Sequence, residues 1–286
     1  MATLKEIKKR ITAVKSTQKI TKAMKMISAT KLKRAQDRII ATRPYAVKMS
    51  ELLSHLVSAS ENIANPLMTE REIKKKLVVI MSGDRGMCGS FNSNLIKFSV
   101  NYLEKIGTDT PIVTVGKKGS DYFSKRNYNV VKSYTHIFSN LDLTISNEIA
   151  NYLVSGYLNN EFDLVEIIYN EFKSVARQVV TKEQFLPLSK PKGKEDAGLT
   201  DYIYEPSSKD ILEELIPKHL KVQFWKTLLE SNAAELGARM TAMELATKNA
   251  DDLIKYLNLL YNKARQESIT KELLEIVSGA EALKEG

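Results

Sequence analysis

Apolar residues recur at helical spacing in two long stretches, one at each end of the chain. In the first stretch the steps are three and four, and no glycine occurs before Gly83. The apolar stripe consists of Leu4, Ile7, Ile11 and Val14, then Ile20, Met24 and Ile27 after a polar interval, then Leu32, Ala35 and Ile39 with a shift in phase. This pattern predicts one long amphipathic helix over residues 1–60. Pro44 is expected to kink or interrupt that helix.

The C-terminal stretch, 207–286, has a more regular pattern. Steps of three and four alternate along Ala233, Leu236, Met240, Met243, Thr247, Ala250, Ile254, Leu257, Tyr261 and Ala264. A period of 3.5 sustained in this way is typical of a left-handed coiled coil. Ser207 and Asp210 have the spacing of a capping box, and Pro217 is expected to break or bend the first turns. The sequence therefore predicts a second long helix that pairs antiparallel with residues 1–60.

The middle of the chain, 76–205, alternates strand-like and helix-like segments. The strand-like runs are 76–82, 111–116, 129–135, 163–172, 179–188 and 201–205. Helical patterns separate the earlier runs, which predicts a parallel α/β sheet, and the late runs predict an antiparallel addition at one end. The polar segment 190–201 is expected to be a mobile loop. The predicted fold class is α/β: a long antiparallel coiled coil of N- and C-terminal helices with an inserted Rossmann-like domain.

Charge is distributed unevenly along the 286 residues. The net charge is +9, yet residues 1–38 alone hold twelve Lys or Arg and only two acids, Glu6 and Asp37, a net of +10. Such an arm is typical of proteins that bind nucleic acid, an acidic membrane surface or an acidic protein partner, and the plain alternative is a solvated helix face. The arm contains no aromatic residue before Tyr45 on which a base could stack, which argues against nucleic acid.

Several other classes of protein are disfavoured. The longest unbroken apolar run, Leu77–Met81, is far shorter than the roughly 20 residues of a membrane span. The N-terminus has no apolar signal region, so nothing indicates secretion. A single cysteine, Cys88, excludes an internal disulfide, and no Cys or His stands at metal-ligand spacing. We therefore expect neither a metal site nor a cofactor.

The stretch SGDRGMCGSFN, 82–92, follows a strand-like run and precedes a helical one, where α/β proteins often bind phosphate. Its glycines, Gly83, Gly86 and Gly89, are spaced three apart, which fits neither a dinucleotide loop nor a Walker loop. A nucleophilic Cys88 would need an adjacent base, and no histidine is near in sequence. We interpret the stretch as a tight structural turn, across which the Asp-Arg pair after Gly83 hydrogen-bonds, and we predict no catalytic residue.

Three stretches resemble the gamma subunit family of the rotary ATP synthase. IKKRITAVKSTQKITKAMKMISATKLKRAQ, 7–36, and the segment 237–283 resemble the two shaft helices of that family. The family's loop, SDRGxCGxxN, appears here as SGDRGMCGSFN, with Gly83 as one extra residue. The resemblance covers nearly the whole chain. It implies a central rotor shaft without catalytic residues, which couples ion flow through a membrane ring to ATP synthesis or hydrolysis at catalytic beta subunits.

The resemblance also implies partners and a location. The partners are the alpha and beta subunits of the catalytic hexamer, the epsilon subunit and the ion-carrying membrane ring, with neither nucleic acid nor a small-molecule substrate. The location is peripheral, at the cytoplasmic face of the bacterial plasma membrane. The segments become an N-terminal shaft helix, 1–60, an α/β domain, 76–205, and a C-terminal shaft helix, 207–286.

Five residues match coupling positions of the family. Met24 and Lys25 match the stretch that meets an acidic lever region of beta, and Arg239, Gln266 and Thr270 match positions that touch the catch loops of beta. Met24 lies on the apolar stripe, where a Met is more often part of a coiled-coil core than a partner contact. Arg239, Gln266 and Thr270 fall off the C-terminal seam and are expected to be free to face a partner. Two alternatives stay open: a coiled-coil nucleic-acid binder using the basic helix, and a nucleotide-using enzyme built on the α/β domain.

Overall fold

The computed structural model describes residues 3–59, 65–189, 205 and 207–285. Two long helices lie at the ends of the chain: α1 spans Leu4–Ala59 and α5 spans Ser208–Glu285. The residues divide into two compact units, one formed by Met1–Ile27 with Met240–Gly286 and the other by Ser28–Arg239.

Both long helices begin with capping contacts. At α1 the Glu6 N–H donates to Thr3 Oγ1 at 3.4 Å, and the Thr3 N–H donates to Glu6 Oε2 at 3.0 Å. At α5 the Asp210 N–H donates to Ser207 Oγ at 3.2 Å, which confirms the predicted capping residue. Each contact satisfies an amide that has no partner inside the first turn.

The two prolines do not end these helices. Pro44 lies inside α1 and Pro217 lies inside α5, so an interruption of either helix at its proline is wrong, whereas the expected kink or bend stays a prediction. A proline removes the hydrogen bond to the carbonyl four residues earlier. Those carbonyls belong to Ile40 and Glu213, which are both exposed residues.

In the unit formed by Met1–Ile27 and Met240–Gly286, the first turns of α1 pack through apolar side chains against the later part of α5. Ile7, Ile11 and Leu257 form its buried cluster, with Val14 and Tyr261 packed around them. Residues that come later in α1 contact residues that come earlier in α5. The helices are therefore antiparallel, as the sequence predicted.

Polar side chains continue the seam where apolar ones were expected. The Thr21 and Thr247 hydroxyls share a hydrogen bond of 2.8 Å, and Gln18 Nε2 donates to Asp251 Oδ1 at 3.3 Å. Ile20, which was placed on the stripe, is 60% exposed. The interpretation of a stripe that pauses at Gln18 and then changes phase is therefore wrong.

The buried face of α1 instead keeps one phase. It runs through Ile7, Ile11, Val14, Gln18, Thr21, Ser28, Leu32 and Ala35, all buried or half-buried. Ile27 lies off this face and is 57% exposed. Side chains with hydroxyl or amide groups thus occupy positions in the seam, although hydropathy alone would assign these residues to the surface.

The unit Ser28–Arg239 is built around a mixed sheet. In the part of the chain that the structure describes, its strands are β1 (Lys76–Met81), β2 (Ile112–Val115), β3 (Val130–Tyr134), β4 (Leu164–Ser174) and β5 (Arg177–Leu186). Their order is β3-β2-β1-β4-β5, with parallel pairing except between β4 and β5. This confirms the parallel sheet with an antiparallel addition. The loop predicted at 190–201 and, apart from residue 205, the strand predicted at 201–205 lie outside the described residues.

Helices cover both faces of this sheet. The helices are α2 (Phe91–Ile106), α3 (Lys117–Ser124) and α4 (Leu143–Leu158). Val78 and Ile80 of β1 face the cluster that includes α2 and α3, whereas the alternate β1 residues face α4 and the long helices. From α5 a buried stripe with steps of four joins that second cluster: Leu212, Ile216, Leu220, Phe224 and Leu228. Burying a side chain of this size contributes about 1.5–3 kcal/mol, so this stripe anchors α5 firmly.

Candidate functional site

The glycine-containing loop joins β1 to α2 at the carboxyl edge of the sheet, and Asp84 ties it in place. Asp84 Oδ1 accepts from the N–H groups of Lys117 at 3.0 Å and His136 at 2.8 Å, and Oδ2 accepts from the N–H of Phe138 at 3.0 Å. Lys117 is the first residue of α3, so Asp84 occupies the helix N-terminus where a phosphate would otherwise bind. Asp84 was expected to bond across the turn itself, but its bonds reach the neighbouring backbone segments at Lys117, His136 and Phe138.

Gly83 allows this loop to lie against α5. Its N–H donates to Asn92 Oδ1 at 2.8 Å, and a Cβ at this position would lie 2.9 Å from Glu235 Cδ. A side chain at this position would therefore require the Glu235 carboxyl group to shift. Gly83, the residue by which this loop departs from the family's motif, therefore faces the buried carboxyl group of Glu235.

Glu235 and Arg239 form a buried ion pair one turn apart on α5. Burial raises the pKa of the Glu235 carboxyl group, and the Arg239 charge opposes that rise. Arg239 also points Nη2 at the carbonyl oxygens of Arg85 and Gly86, at 3.5 and 3.4 Å. Its side chain is only 12% exposed. The expectation that Arg239 is free is therefore wrong, because its guanidinium group is engaged inside this unit.

Cys88 lacks the surroundings of a nucleophile. It is 2% exposed, and its Sγ accepts from Asn92 Nδ2 at 3.2 Å. Burial, and then the charge of Glu235, raise the pKa of the thiol, so the reactive thiolate is disfavoured. Among the described residues, no group of His, Cys, Asp and Glu side chains is arranged to hold a metal ion.

Lys25 and Met24 lie on the helix pair, but in different settings. Lys25 Nζ is 2.7 Å from Glu244 Oε1 on α5, with side chains 35% and 56% exposed. Met24 is half-buried. Ile20 and Ile27, which sequence reasoning placed in the seam, flank these residues with exposed apolar side chains. An apolar residue that falls out of a strict 3.5 period was the available signal that these two are surface residues.

Gln266 and Thr270 lie on the exposed end section of α5. Thr270 Oγ1 donates to the Gln266 carbonyl at 2.9 Å, a local bond that leaves the Gln266 amide facing solvent. Beyond them every residue whose side chain is described is exposed, including the large apolar residues Leu273, Leu274, Ile276 and Val277. Exposed apolar surface of this extent is typical of surfaces that bind a protein or a membrane.

The chain thus combines an antiparallel helix pair bearing exposed apolar and basic side chains with an α/β domain whose loop is closed by its own residues. These features are typical of a class of protein that binds partners through its helix pair. The family model described as ATP synthase matches residues 3–283. An ATP synthase gamma chain from Chloroherpeton thalassium is 48% identical over 303 residues, covering 100% of this chain and 99% of the relative. The chain belongs to the gamma-chain family of ATP synthase.

Other relatives and solved structures agree. The gamma chain of Geobacter sp. (strain M21) is 49% identical over 287 residues, covering 99% of this chain and 100% of the relative. A chain of the Tetrahymena thermophila mitochondrial ATP synthase central stalk and c-ring is 26% identical with a TM-score of 0.60, covering 79% of this chain and 99% of that one. A chain of the Euglena gracilis enzyme, 22% identical, shares the fold with a TM-score of 0.70, covering 98% of this chain and 94% of that one.

These matches identify a non-catalytic subunit of the central stalk, and they give no support to the nucleic-acid-binding alternative. Among the described residues, no helix contains an apolar stretch long enough to cross a membrane.

Proposed function

We propose that this chain is the rotor shaft that couples ion flow through a membrane ring to ATP synthesis or hydrolysis at beta subunits. Its partners are then the alpha and beta subunits of the catalytic hexamer, the epsilon subunit and the ring. The observation that carries this proposal is the helix pair itself. Its seam is closed by Thr21, Thr247 and their neighbours, while apolar side chains such as Ile20 and Ile27 face outward.

The segments take separate roles in this proposal. Residues 1–60 and 207–286 form the shaft, and residues 76–205 form the α/β domain outside the hexamer. The complex lies at the cytoplasmic face of a bacterial plasma membrane, with this chain as a peripheral subunit. The bacterial origin of the named relatives supports that location.

Five residues are proposed as contacts with beta: Met24, Lys25, Arg239, Gln266 and Thr270. Gln266 and Thr270 are exposed and need no rearrangement. Lys25 would either leave Glu244 for a carboxylate of the partner or contact both carboxylates. Arg239 would contact a partner at the edge of the loop and keep its ion pair with Glu235.

Co-purification tests the function. A tagged full-length chain should bring down two nucleotide-binding subunits, each in threefold excess, from the membrane fraction of its source cell. Recovery of the chain alone or with nucleic acid would refute the proposal.

The contact residues are tested separately, in the assembled complex. Gln266→Ala and Thr270→Ala should lower ion pumping per ATP, whereas Asn262→Ala, a change at another exposed position of α5, should not. If all three changes affect ion pumping per ATP equally, Gln266 and Thr270 make no specific contact with beta.

A further inference from the structure

One turn of α5, 233–238, is buried on every side. Its residues are mostly small, and all six are buried: Ala233, Ala234, Glu235, Leu236, Gly237 and Ala238. A helical turn takes about 3.6 residues, so six consecutive buried residues account for the whole circumference of the helix. Most other turns of α5 have an exposed face, so neighbouring segments enclose the helix at this turn in particular.

The glycine loop, 82–92, covers one side of this turn. It contacts the buried ion pair of Glu235 and Arg239, and its Cys88 lies in a buried cluster with two alanines of the turn. Asp84 fixes the loop, because its carboxylate accepts hydrogen bonds from three backbone N–H groups in the segments that follow β2 and β3. The loop therefore holds α5 against the edge of the sheet.

The hairpin formed by β4 and β5 covers another side of the turn with its tip, 172–178. A Cβ at Gly237 would lie 3.2 Å from Phe172 Cε2 and 3.6 Å from Val175 Cα, so the hairpin tip approaches the helix backbone closely. Phe172 also packs against the buried cluster at the glycine loop. Gln178 Nε2 donates to the Val175 carbonyl at 2.8 Å, which stabilises the tip.

The loop and the hairpin tip contact the helix from nearly opposite sides. Successive helical residues are about 100° apart, so Gly237 and Glu235 lie about 160° apart around the helix axis. Both arms extend from one sheet, since the loop follows β1, and β4 is a parallel neighbour of β1. We call these two arms, 82–92 and 172–178, the collar of α5.

The collar contacts also fix the helix against rotation about its own axis. Glycine is less favourable in a helix interior than every residue except proline, yet Gly237 occupies the position that faces Phe172. Rotation of α5 by one residue in either direction would bring a larger side chain against the Phe172 ring. The same rotation would move the Arg239 guanidinium group away from the loop carbonyls that it reaches at 3.4 and 3.5 Å. The contacts are therefore specific for one orientation of the helix.

We propose that the collar passes turning force between the α/β domain and α5, and that Gly237 is the residue that lets the collar close. A force that turns the sheet acts on the helix from two nearly opposite sides, so it turns α5 instead of bending it. This inference rests on the proposed function of the chain as a rotor shaft. The closure of the collar, in contrast, is a property of the folded chain and is measured without partners.

Cys88 reports whether the collar is closed, because it is the only cysteine of the chain, lies in the collar and is 2% exposed. The measurement is the rate at which an aromatic disulfide reagent labels Cys88 in the native full-length chain. Gly237→Val places a branched side chain against Phe172, so the rate should rise at least about tenfold. Gly279→Val, the same change at a position with nothing within 4 Å, should leave the rate unchanged.

A second background shows whether the clash with Phe172 is the cause. In Phe172→Ala the ring is absent, so the further change Gly237→Val should add little to the labelling rate of that background. If Gly237→Val does not fold, Gly237→Ala takes its place in both backgrounds. An unchanged rate in the Gly237 variant, or an equal rise with and without the Phe172 ring, would overturn the collar.

The turning role is measured in the assembled complex, as ATP hydrolysis and ion pumping in the same membranes. Gly237→Val should keep ATP hydrolysis while ion pumping per ATP falls, whereas Leu158→Ala, a change at an exposed position of α4, should pump as the wild type does. Normal pumping per ATP by the Gly237 variant in an intact complex would overturn the turning role. Absence of the nucleotide-binding subunits after co-purification would instead refute the proposed function, while the labelling of Cys88 would still report the collar.

Discussion

Reversal of the Lys25 charge separates contacts within the helix pair from contacts with a partner. Lys25 Nζ lies 2.7 Å from Glu244 Oε1, a separation worth about 1.5 kcal/mol for unit charges in water. Both side chains are more than one third exposed, so solvation and side-chain entropy reduce the net value to about 0.2–1 kcal/mol. Lys25→Glu replaces this attraction by repulsion of similar size, so we expect the helix pair to lose about 1 kcal/mol.

The charge-swapped double variant, Lys25→Glu with Glu244→Lys, is the matched control. It restores an ion pair of opposite sense, so it should recover the stability lost in Lys25→Glu. It does not restore a cation on α1 for an acidic surface of beta. If Lys25 contacts beta, the loss of coupling should therefore persist in the double variant.

The assay measures ATP hydrolysis and ion pumping in the same membranes. For Lys25→Glu we expect assembly and hydrolysis to survive while pumping per ATP falls, because one charge among twelve cations of residues 1–38 changes little of the packing. Recovery of pumping in the double variant would show that Lys25 acts only through Glu244. A proportional fall of hydrolysis and pumping, or no change in either, would refute a coupling role.

Three further expectations follow from the loop and the end of α5. Gly83→Ala should lower the free energy of unfolding in urea by about 1–3 kcal/mol because its Cβ would meet Glu235, whereas Gly279→Ala, with nothing within 4 Å, should be neutral or stabilising by up to about 1 kcal/mol. The purified chain should show no ATPase activity, and Cys88 should react with a thiol reagent only after unfolding; turnover, or rapid labelling of native protein, would contradict this. Truncation after Ser268 should reduce coupling while leaving the melting temperature and assembly intact, because the removed side chains that are described are exposed; failure to assemble would show a structural role.

The sequence predicted α5 better than α1 because the seam of α5 is mostly apolar. In α1 the positions Gln18, Thr21 and Ser28 are polar, and hydropathy cannot distinguish a buried hydroxyl from an exposed one. The hydrogen-bond partner of the buried Thr21 hydroxyl is the hydroxyl of Thr247, 226 residues away. The exposed Ile20 was misplaced because its apolar character was given more weight than the six-residue step from Val14, which breaks the 3.5 period.

The spacing of the glycines in the loop predicted a structural turn, but it could not predict the contacts that the loop makes with α5. The positions of Glu235 and Arg239, four apart on a helix, indicate an ion pair. Their burial depends on the close approach of Gly83 and on the carbonyl groups of Arg85 and Gly86. These features belong to the tertiary structure, so a periodicity argument assigned Arg239 to the surface.

The polar seam of the helix pair also bears on how the chain is made. Thr21 is synthesised 226 residues before Thr247, its hydrogen-bond partner. Because ribosomes add about 5–20 residues per second, roughly 10–45 s separate the synthesis of these two residues. During that interval a continuous stripe of isoleucine and leucine would invite association with other nascent chains. The polar side chains of Gln18, Thr21 and Ser28 interrupt such a stripe, and Gln18 and Thr21 gain hydrogen-bond partners once the matching segment of α5 has been made. The seam therefore gives up some final stability in exchange for solubility before pairing.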